Sequence, residues 1–142
     1  MQSGKRKIVI RNIKNKMQNN NSKPKIELKK RAYVYALDVI KFIDSLNKND
    51  FTVQIIVKQL LRSATSIGAN IIEAQAGSTK KDFTNFFNYA LKSANESKFW
   101  LGLLRDSKKG NQDEINKLLQ ETVELSNILG SSIITLKGKK KV

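Results

Sequence analysis

Carboxylate pairs are the side chains of this chain best suited to acid and base chemistry, and the fourth helical pattern carries two such pairs. Asp113 and Glu114 stand in an expected first helical turn, where negative side chains stabilise the helix end, so capping explains them. Glu121 and Glu124 share one helix face near Lys117. A solvated ion-pair face accounts for that second pair better than catalysis does.

Two residue types on which many enzymes depend are missing. The chain has no cysteine and no histidine, which removes disulfides, thiol nucleophiles, imidazole bases and nearly all zinc and haem sites. The sequence contains no glycine-rich motif of the P-loop or dinucleotide-binding type. We therefore predict a non-enzymatic protein with no catalytic residues, no metal and no cofactor.

The formal charge of +15 is concentrated at the two ends of the chain. Residues 1–25 carry eight basic side chains and residues 137–142 carry four, and neither segment contains an acid. Residues 26–136 hold fifteen basic and twelve acidic side chains, which is ordinary for a globular domain. Basic tails around a balanced body indicate a polyanionic partner, and the alternative is that flexible tails only aid solubility.

The same boundaries divide the chain into a basic flexible tail (1–25), a helical body (26–136) and a second basic tail (137–142). The first tail ends in an asparagine-rich stretch before Pro24, the only proline, which favours a linker. Ile8–Ile10 is a short apolar run without a second strand to pair with. No apolar run reaches the roughly 18 residues of a membrane span, so we expect a cytoplasmic protein without membrane contact.

Four stretches of the body must position the charged side chains described above. Each stretch shows apolar residues at alternating steps of four and three, which is the spacing of a buried helix face. The first runs from about Lys29 to Leu46, with Tyr33, Leu37 and Ile40 widening its stripe. The second follows Val53, Val57, Leu60, Ala64, Ile67, Ile71 and Ala74. The third follows Phe83, Phe87, Ala90, Ala94, Ser97, Leu101 and Leu104, and the fourth follows Ile115, Leu118, Thr122, Leu125, Leu129, Ser132 and Leu136.

Short turns separate these helices. Gly77, a residue that tolerates the left-handed conformation, is expected to end the second helix, and Thr79 with Asp82 makes a near capping box for the third. Asn111 with Glu114 makes a similar arrangement for the fourth. The sequence therefore predicts an all-α fold, an antiparallel up-down-up-down four-helix bundle.

Two polar helix faces are candidates for binding. On the second helix, Arg62 and Glu73 share a face but lie about 16 Å apart, so they need partners elsewhere if that face is buried and none if it is solvated. The third helix carries lysines opposite its apolar stripe. Candidate nucleic-acid-binding residues, including both tails, are Lys5, Arg6, Lys7, Arg11, Lys58, Arg62, Lys80, Lys81, Lys92, Lys98, Arg105, Lys139, Lys140 and Lys141.

Several independent blocks carry a family resemblance. They are LLRSATSIGANIIEA at Leu60–Ala74, STKKDF at Ser78–Phe83, ANESKFWLGLLRDS at Ala94–Ser107 and ELSNILGSSIITLK at Glu124–Lys137. Together they resemble the four helix bundle protein family, also called the 23S ribosomal RNA intervening-sequence protein family. The chain is similar, more distantly, to the accessory variability protein of diversity-generating retroelements.

The resemblance implies a four-helix protomer that assembles as a ring of five, and it offers no catalytic residues. In such a ring, the polar face of the second helix, called here its polar line, could lie at the subunit interface. We predict that the interface residues on this helix are Arg62, Ser63, Ser66, Asn70 and Glu73. The leading functional prediction is a basic oligomeric scaffold that binds RNA or DNA through phosphate contacts. The alternatives are a protein-interaction adaptor, such as a partner of a reverse transcriptase, and a purely structural bundle.

Overall fold

The computed structural model describes residues 27–77 and 79–138, and within them every regular element is an α-helix. The four helices are α1 Leu28–Asp44, α2 Phe51–Ala76, α3 Lys80–Asp106 and α4 Gln112–Gly138. With 26, 27 and 27 residues, α2, α3 and α4 are each about 40 Å long, whereas the 17 residues of α1 span about 25 Å. The all-α prediction is confirmed for this part of the chain.

The helices pack around one hydrophobic core. Each helix contacts the next along the chain, most extensively α2 with α3, and α1 also contacts α4, though less extensively than it contacts α2. The predicted lines of α3 and α4 are buried along their whole length, and that of α2 is buried except at the half-buried Val57. The four-three spacing therefore identified the core faces of the three long helices correctly.

Two of the predicted helix caps are confirmed, and a third cap joins two turns. Thr79 Oγ1 accepts the amide of Asp82 at 3.0 Å, and Asn111 Oδ1 accepts the amide of Glu114 at 3.0 Å. At the start of α2, Asp50 Oδ1 accepts the Val53 amide at 3.2 Å while its Oδ2 accepts Lys109 Nζ at 2.6 Å.

That third cap ties the start of α2 to the turn between α3 and α4. Because the Lys109 ammonium and the Val53 amide stabilise the carboxylate form, the pKa of Asp50 lies below its usual value.

The second helix ends where predicted, since Gly77 is the C-terminal cap of α2. Its backbone is extended, with φ −65° and ψ 146°, so this cap does not use the left-handed conformation that glycine tolerates. Positive φ angles occur instead at Lys108 (60°) and Gly110 (91°), in the turn between α3 and α4. A Cβ atom at Gly110 would lie 2.6 Å from Leu46 Cδ2 and 3.3 Å from Phe42 Cε1, so the end of α1 packs directly on this turn.

The apolar stripe of α1 is narrower than predicted. Tyr33, Leu37 and Ile40 were expected to widen the core face, but they are 64%, 40% and 39% exposed. Tyr35 and Phe42, on the side towards α4, are buried instead. The sequence spacing allowed either side, and the placement of α1 against its two neighbours decides which side is covered.

Candidate nucleic-acid interface

The face of α3 that points away from the core is polar and basic. Lys81, Asn85, Lys92 and Asn95 are all exposed on it. Lys81 and Lys92 lie eleven residues apart, which is about 16 Å along the helix. The sequence has no acidic residue between Asp82 and Glu96, so this stretch presents an uninterrupted surface to an anion.

A basic pocket lies where the first turns of α3 meet the last turn of α4. Its volume is about 300 Å³. Lys80 and Lys81 come from α3, and Lys137 comes from α4. The remaining lining residues are Thr84, Asn85, Asn88 and Leu136.

The position of this pocket strengthens its attraction for anions. The amino terminus of a long helix carries a partial positive charge, which adds to the charge of the three ammonium groups. The pocket also ends at the point where the C-terminal tail leaves α4. The tail candidates Lys139, Lys140 and Lys141 follow directly, but they lie outside the described residues, as do Lys5, Arg6, Lys7 and Arg11.

Two further predicted cations lie towards the other end of α3 and are already engaged. Lys98 Nζ donates to Ser126 Oγ of α4 at 3.2 Å, and Lys98 is half-buried. Arg105 Nε donates to Asp106 Oδ1 at 2.8 Å, and this ion pair raises the pKa of Arg105 and lowers that of Asp106. Because these groups already have partners, they offer less to a phosphate than the three lysines of the pocket.

The structure does not bring the α2 candidates to this pocket. Lys58 and Arg62 are exposed on α2, and neither lines the pocket. Glu73 is exposed as well, and within the described residues neither Arg62 nor Glu73 forms an ion pair. The predicted role of this polar line at a subunit interface stays a prediction.

The predicted place of Ser63 at a subunit interface is wrong. Ser63 is only 2% exposed, and its hydroxyl lies 2.8 Å from Ser97 Oγ of α3. Ser63 therefore packs inside the protomer and cannot contact a neighbouring subunit. Ser66 and Asn70 are half-buried, and their side chains donate to carbonyls one turn earlier, Ser66 to Arg62 at 2.7 Å and Asn70 to Ser66 at 2.8 Å.

The carboxylates of α4 bind an arginine that the sequence analysis did not connect with them. Arg31 of α1 makes a bidentate contact with Glu121, through Nε at 2.8 Å and Nη2 at 2.7 Å. Its Nη2 also donates to Glu124 at 2.9 Å. The expected solvated pair with Lys117 is therefore wrong, since these carboxylates form a part-buried bridge between α1 and α4.

A buried tyrosine lies one helical turn from that bridge. Tyr35 Oη and Thr122 Oγ1 are 2.6 Å apart. Thr122 already donates its proton to the Leu118 carbonyl at 2.6 Å, so the tyrosine must be the donor in this contact. Burial raises the pKa of Tyr35 to about 12.

Two kinds of site are not found in the part of the chain that the structure describes. No group of three or more acidic, histidine or cysteine side chains is arranged to hold a metal ion there. Among the described helices, none has an apolar stretch long enough to cross a membrane.

In residues 27–77 and 79–138, four helices around a single core, with a lysine-lined pocket where α3 and α4 meet, define a small all-α domain. A model of the 23S rRNA-intervening sequence protein family matches residues 24–131, and the chain belongs to that family. A crystal structure of a protein of unknown function, from the S23 ribosomal protein family of Bacteroides thetaiotaomicron VPI-5482, is 33% identical with a TM-score of 0.69. The similarity covers 75% of this chain and 97% of that one. No curated protein matches the chain.

Proposed function

We propose that this protein is non-enzymatic and binds RNA or DNA through phosphate contacts on the surface formed by α3 and the end of α4. The basic pocket of Lys80, Lys81 and Lys137 is the observation that carries the proposal. Three lysines from two helices face one concave space at a helix amino terminus. Spatial convergence of this kind distinguishes the pocket from lysines scattered over a solvated surface.

The lysine ridge of α3 extends the pocket. Lys92 lies about 16 Å from Lys81, a distance that spans several phosphates of a nucleic-acid strand. Three neutral polar side chains line the pocket on this side of α3, namely Thr84, Asn85 and Asn88. They suit hydrogen bonds to phosphate and sugar oxygens, which carry little base information. The binding is therefore expected to depend little on sequence and strongly on salt.

The proposed assembly is an up-down-up-down bundle that forms a ring of five. The packing order supports the bundle topology, since each helix contacts its neighbour along the chain and α1 returns to α4. A ring would repeat the basic pocket five times, and repeated weak sites bind a long polyanion much more tightly than one site.

Fluorescence anisotropy with labelled RNA and DNA strands tests the proposal. Neutralising the pocket by Lys80→Gln, Lys81→Gln and Lys137→Gln should weaken binding at about 50 mM salt by more than tenfold. The slope of log affinity against log salt should also fall by about 2 units, because each lost phosphate contact removes about 0.7–0.9.

A variant with the same net charge controls for general electrostatics. Lys41→Gln, Lys48→Gln and Lys117→Gln remove three exposed lysines on other surfaces, and this triple variant should bind within about threefold of the wild type. Equal losses in the two triple variants would reject the pocket as the site. Absence of micromolar binding by the wild type at about 50 mM salt, or binding that is insensitive to salt, would reject nucleic-acid binding itself.

A further inference from the structure

An exposed tyrosine lies on the basic face of α3. Tyr89 is 50% exposed, and it stands four residues after Asn85 and three residues before Lys92. Steps of three and four place side chains one turn apart on the same side of a helix, so the ring is a neighbour of both. Asn85 also lines the basic pocket. The surface proposed to bind nucleic acid therefore includes a large aromatic side chain.

A second aromatic ring holds Tyr89 in place. Phe86, one turn earlier on α3, is half-buried and packs against the hydrophobic core. Its ring lies edge-on to the ring of Tyr89, with a centroid distance of 6.0 Å and an angle of 78° between the two planes. An edge-on contact occupies at most one face of a ring. Because half of Tyr89 is exposed, one face of its ring is open to a flat partner.

The charges around Tyr89 distinguish it from an ordinary exposed side chain. Single apolar groups on a protein surface are common and need no explanation. Tyr89, however, lies between two exposed lysines, about 12 Å along the helix from Lys81 and about 4.5 Å from Lys92. No acidic residue occurs between Asp82 and Glu96. A ring flanked by cations is the arrangement with which proteins bind unpaired nucleotides, because phosphates meet the cations while a base stacks on the ring.

We infer that Tyr89 is a stacking platform for an unpaired base, and that this surface binds single-stranded RNA or DNA in preference to a duplex. This preference rests on the nucleic-acid binding proposed above and defines the form of nucleic acid that is bound. Inside a duplex both faces of each base are covered by the neighbouring base pairs, so the ring finds a stacking partner only where bases are unpaired. The 16 Å between Lys81 and Lys92 corresponds to about five nucleotides at the 3.4 Å rise of a stacked strand.

Electrostatic attraction alone gives the opposite preference. A duplex carries two phosphates for each 3.4 Å of its length, whereas one strand carries a single phosphate over that distance. Fluorescence anisotropy at about 150 mM salt compares an unstructured strand of about twenty nucleotides with a duplex of the same length. We expect the wild type to bind the strand at least about threefold more tightly than the duplex.

Two substitutions at Tyr89 separate stacking from charge. Tyr89→Leu keeps an apolar side chain but removes the ring, and it should weaken binding to the single strand at least about fivefold. Its affinity for the duplex should stay within about twofold of the wild type. Because no charge is lost, the slope of log affinity against log salt should not change. Tyr89→Phe retains the ring and should bind the single strand within about twofold of the wild type.

A strand of abasic sites identifies the base as the partner of the ring, since it has the same phosphates and no bases. The wild type should bind this strand at least about fivefold more weakly than the intact one. Tyr89→Leu should distinguish the two strands by no more than about twofold, because the variant has no ring to lose a base from.

Phe99 provides a matched control on the same helix. It is 58% exposed, but it follows the exposed Glu96 by three residues, and that carboxylate repels phosphate. Phe99→Leu should therefore bind the single strand within about twofold of the wild type. Circular dichroism should show the helical content of the wild type in every variant.

The outcomes separate this preference from nucleic-acid binding as such. Equal affinity of the wild type for strand and duplex, or an equal loss for both in Tyr89→Leu, would overturn the stacking platform and leave the phosphate contacts standing. An equal loss in Phe99→Leu and Tyr89→Leu would also overturn it. Absence of binding to either form at micromolar concentrations and about 50 mM salt would instead reject the proposed function, and the preference with it.

Discussion

Arg31 shows at the scale of one residue how α1 is attached to α4. Its side chain is only 14% exposed and bonds two carboxylates, so removing it leaves both without a cation. We expect Arg31→Met to lower the free energy of unfolding by about 2 kcal/mol, since hydrogen bonds to charged groups in partly buried sites contribute that much. Urea unfolding at neutral pH measures the change.

Arg105 provides the matched control for that prediction. It also pairs with a carboxylate, Asp106, but the two side chains are 43% and 71% exposed. Arg105→Met should therefore change stability far less than Arg31→Met does. Similar losses for the two arginines would show that the bridge between α1 and α4 contributes no more than a surface pair.

Tyr35 makes the stability of the protein sensitive to alkaline pH. Its folded pKa of about 12 lies above the usual 10, so its stabilising effect is complete below pH 10 and is lost as the pH rises towards 12. At neutral pH, Tyr35→Phe should cost about 1 kcal/mol.

Urea unfolding of the wild type and of Tyr35→Phe over a series of pH values checks this loss of stability. The advantage of the wild type should shrink above pH 10 and be lost as the pH approaches 12. The Tyr35→Phe variant provides the baseline for every other pH-dependent change in stability. An advantage that stays constant up to pH 12 would contradict the assignment.

The sequence could not predict either of these contacts. Arg31 and Glu121 are 90 positions apart, and Tyr35 and Thr122 are 87 apart. Helical spacing assigns residues to a face of their own helix, but it does not determine which helix stands opposite or at what height. The two carboxylates were therefore grouped with Lys117, the nearest cation on α4, because the cation on α1 was not visible from the sequence.

At the scale of the elements, two glycines should respond in opposite directions to the same change. Gly110→Ala places a Cβ on a residue with φ 91° and against Leu46 at 2.6 Å, so we expect a loss of about 2–3 kcal/mol. Gly130 lies within α4 with nothing within 4 Å of its Cβ position. Gly130→Ala should stabilise the protein by about 0.5–1 kcal/mol.

Thermal and urea unfolding of both variants measure this contrast. Loss of stability in Gly130→Ala would show that this face of α4 is covered, for example by another subunit. A neutral Gly110→Ala would mean that the turn between α3 and α4 relaxes without disturbing α1.

The elements were the most predictable level of the structure. The core lines of α3 and α4 and the caps at Thr79 and Asn111 follow from spacing and local hydrogen bonding, which depend on neighbouring residues alone. The width of the apolar stripe of α1 was not predictable. Whether Tyr33 or Tyr35 is buried depends on where the two neighbouring helices lie. The same holds for the basic pocket, since Lys137 is distant in sequence from Lys80.

At the scale of the whole molecule, the polar line of α2 remains a predicted subunit contact. If Arg62 and Glu73 meet partners across an interface, Arg62→Ala or Glu73→Ala should cost about 3–5 kcal/mol and reduce the assembled mass. If the line is solvated, each change should stay within about 0.5 kcal/mol. Light scattering combined with urea unfolding separates these outcomes.

The limited contact between α1 and α4 divides the molecule into parts that should unfold locally on different timescales. The shortest helix is fastened there by the Arg31 and Tyr35 contacts, whereas α2, α3 and α4 share the long core. Local opening follows the weakest packing, so amide hydrogens of α1 should exchange with deuterium at least about tenfold faster than those in the middle of α3. Uniform protection would indicate one cooperative unit. Because Tyr33 and Leu37 of α1 form one wall of an apolar groove whose other wall includes Ile72 of α2, each local unfolding of α1 removes that groove for as long as it lasts.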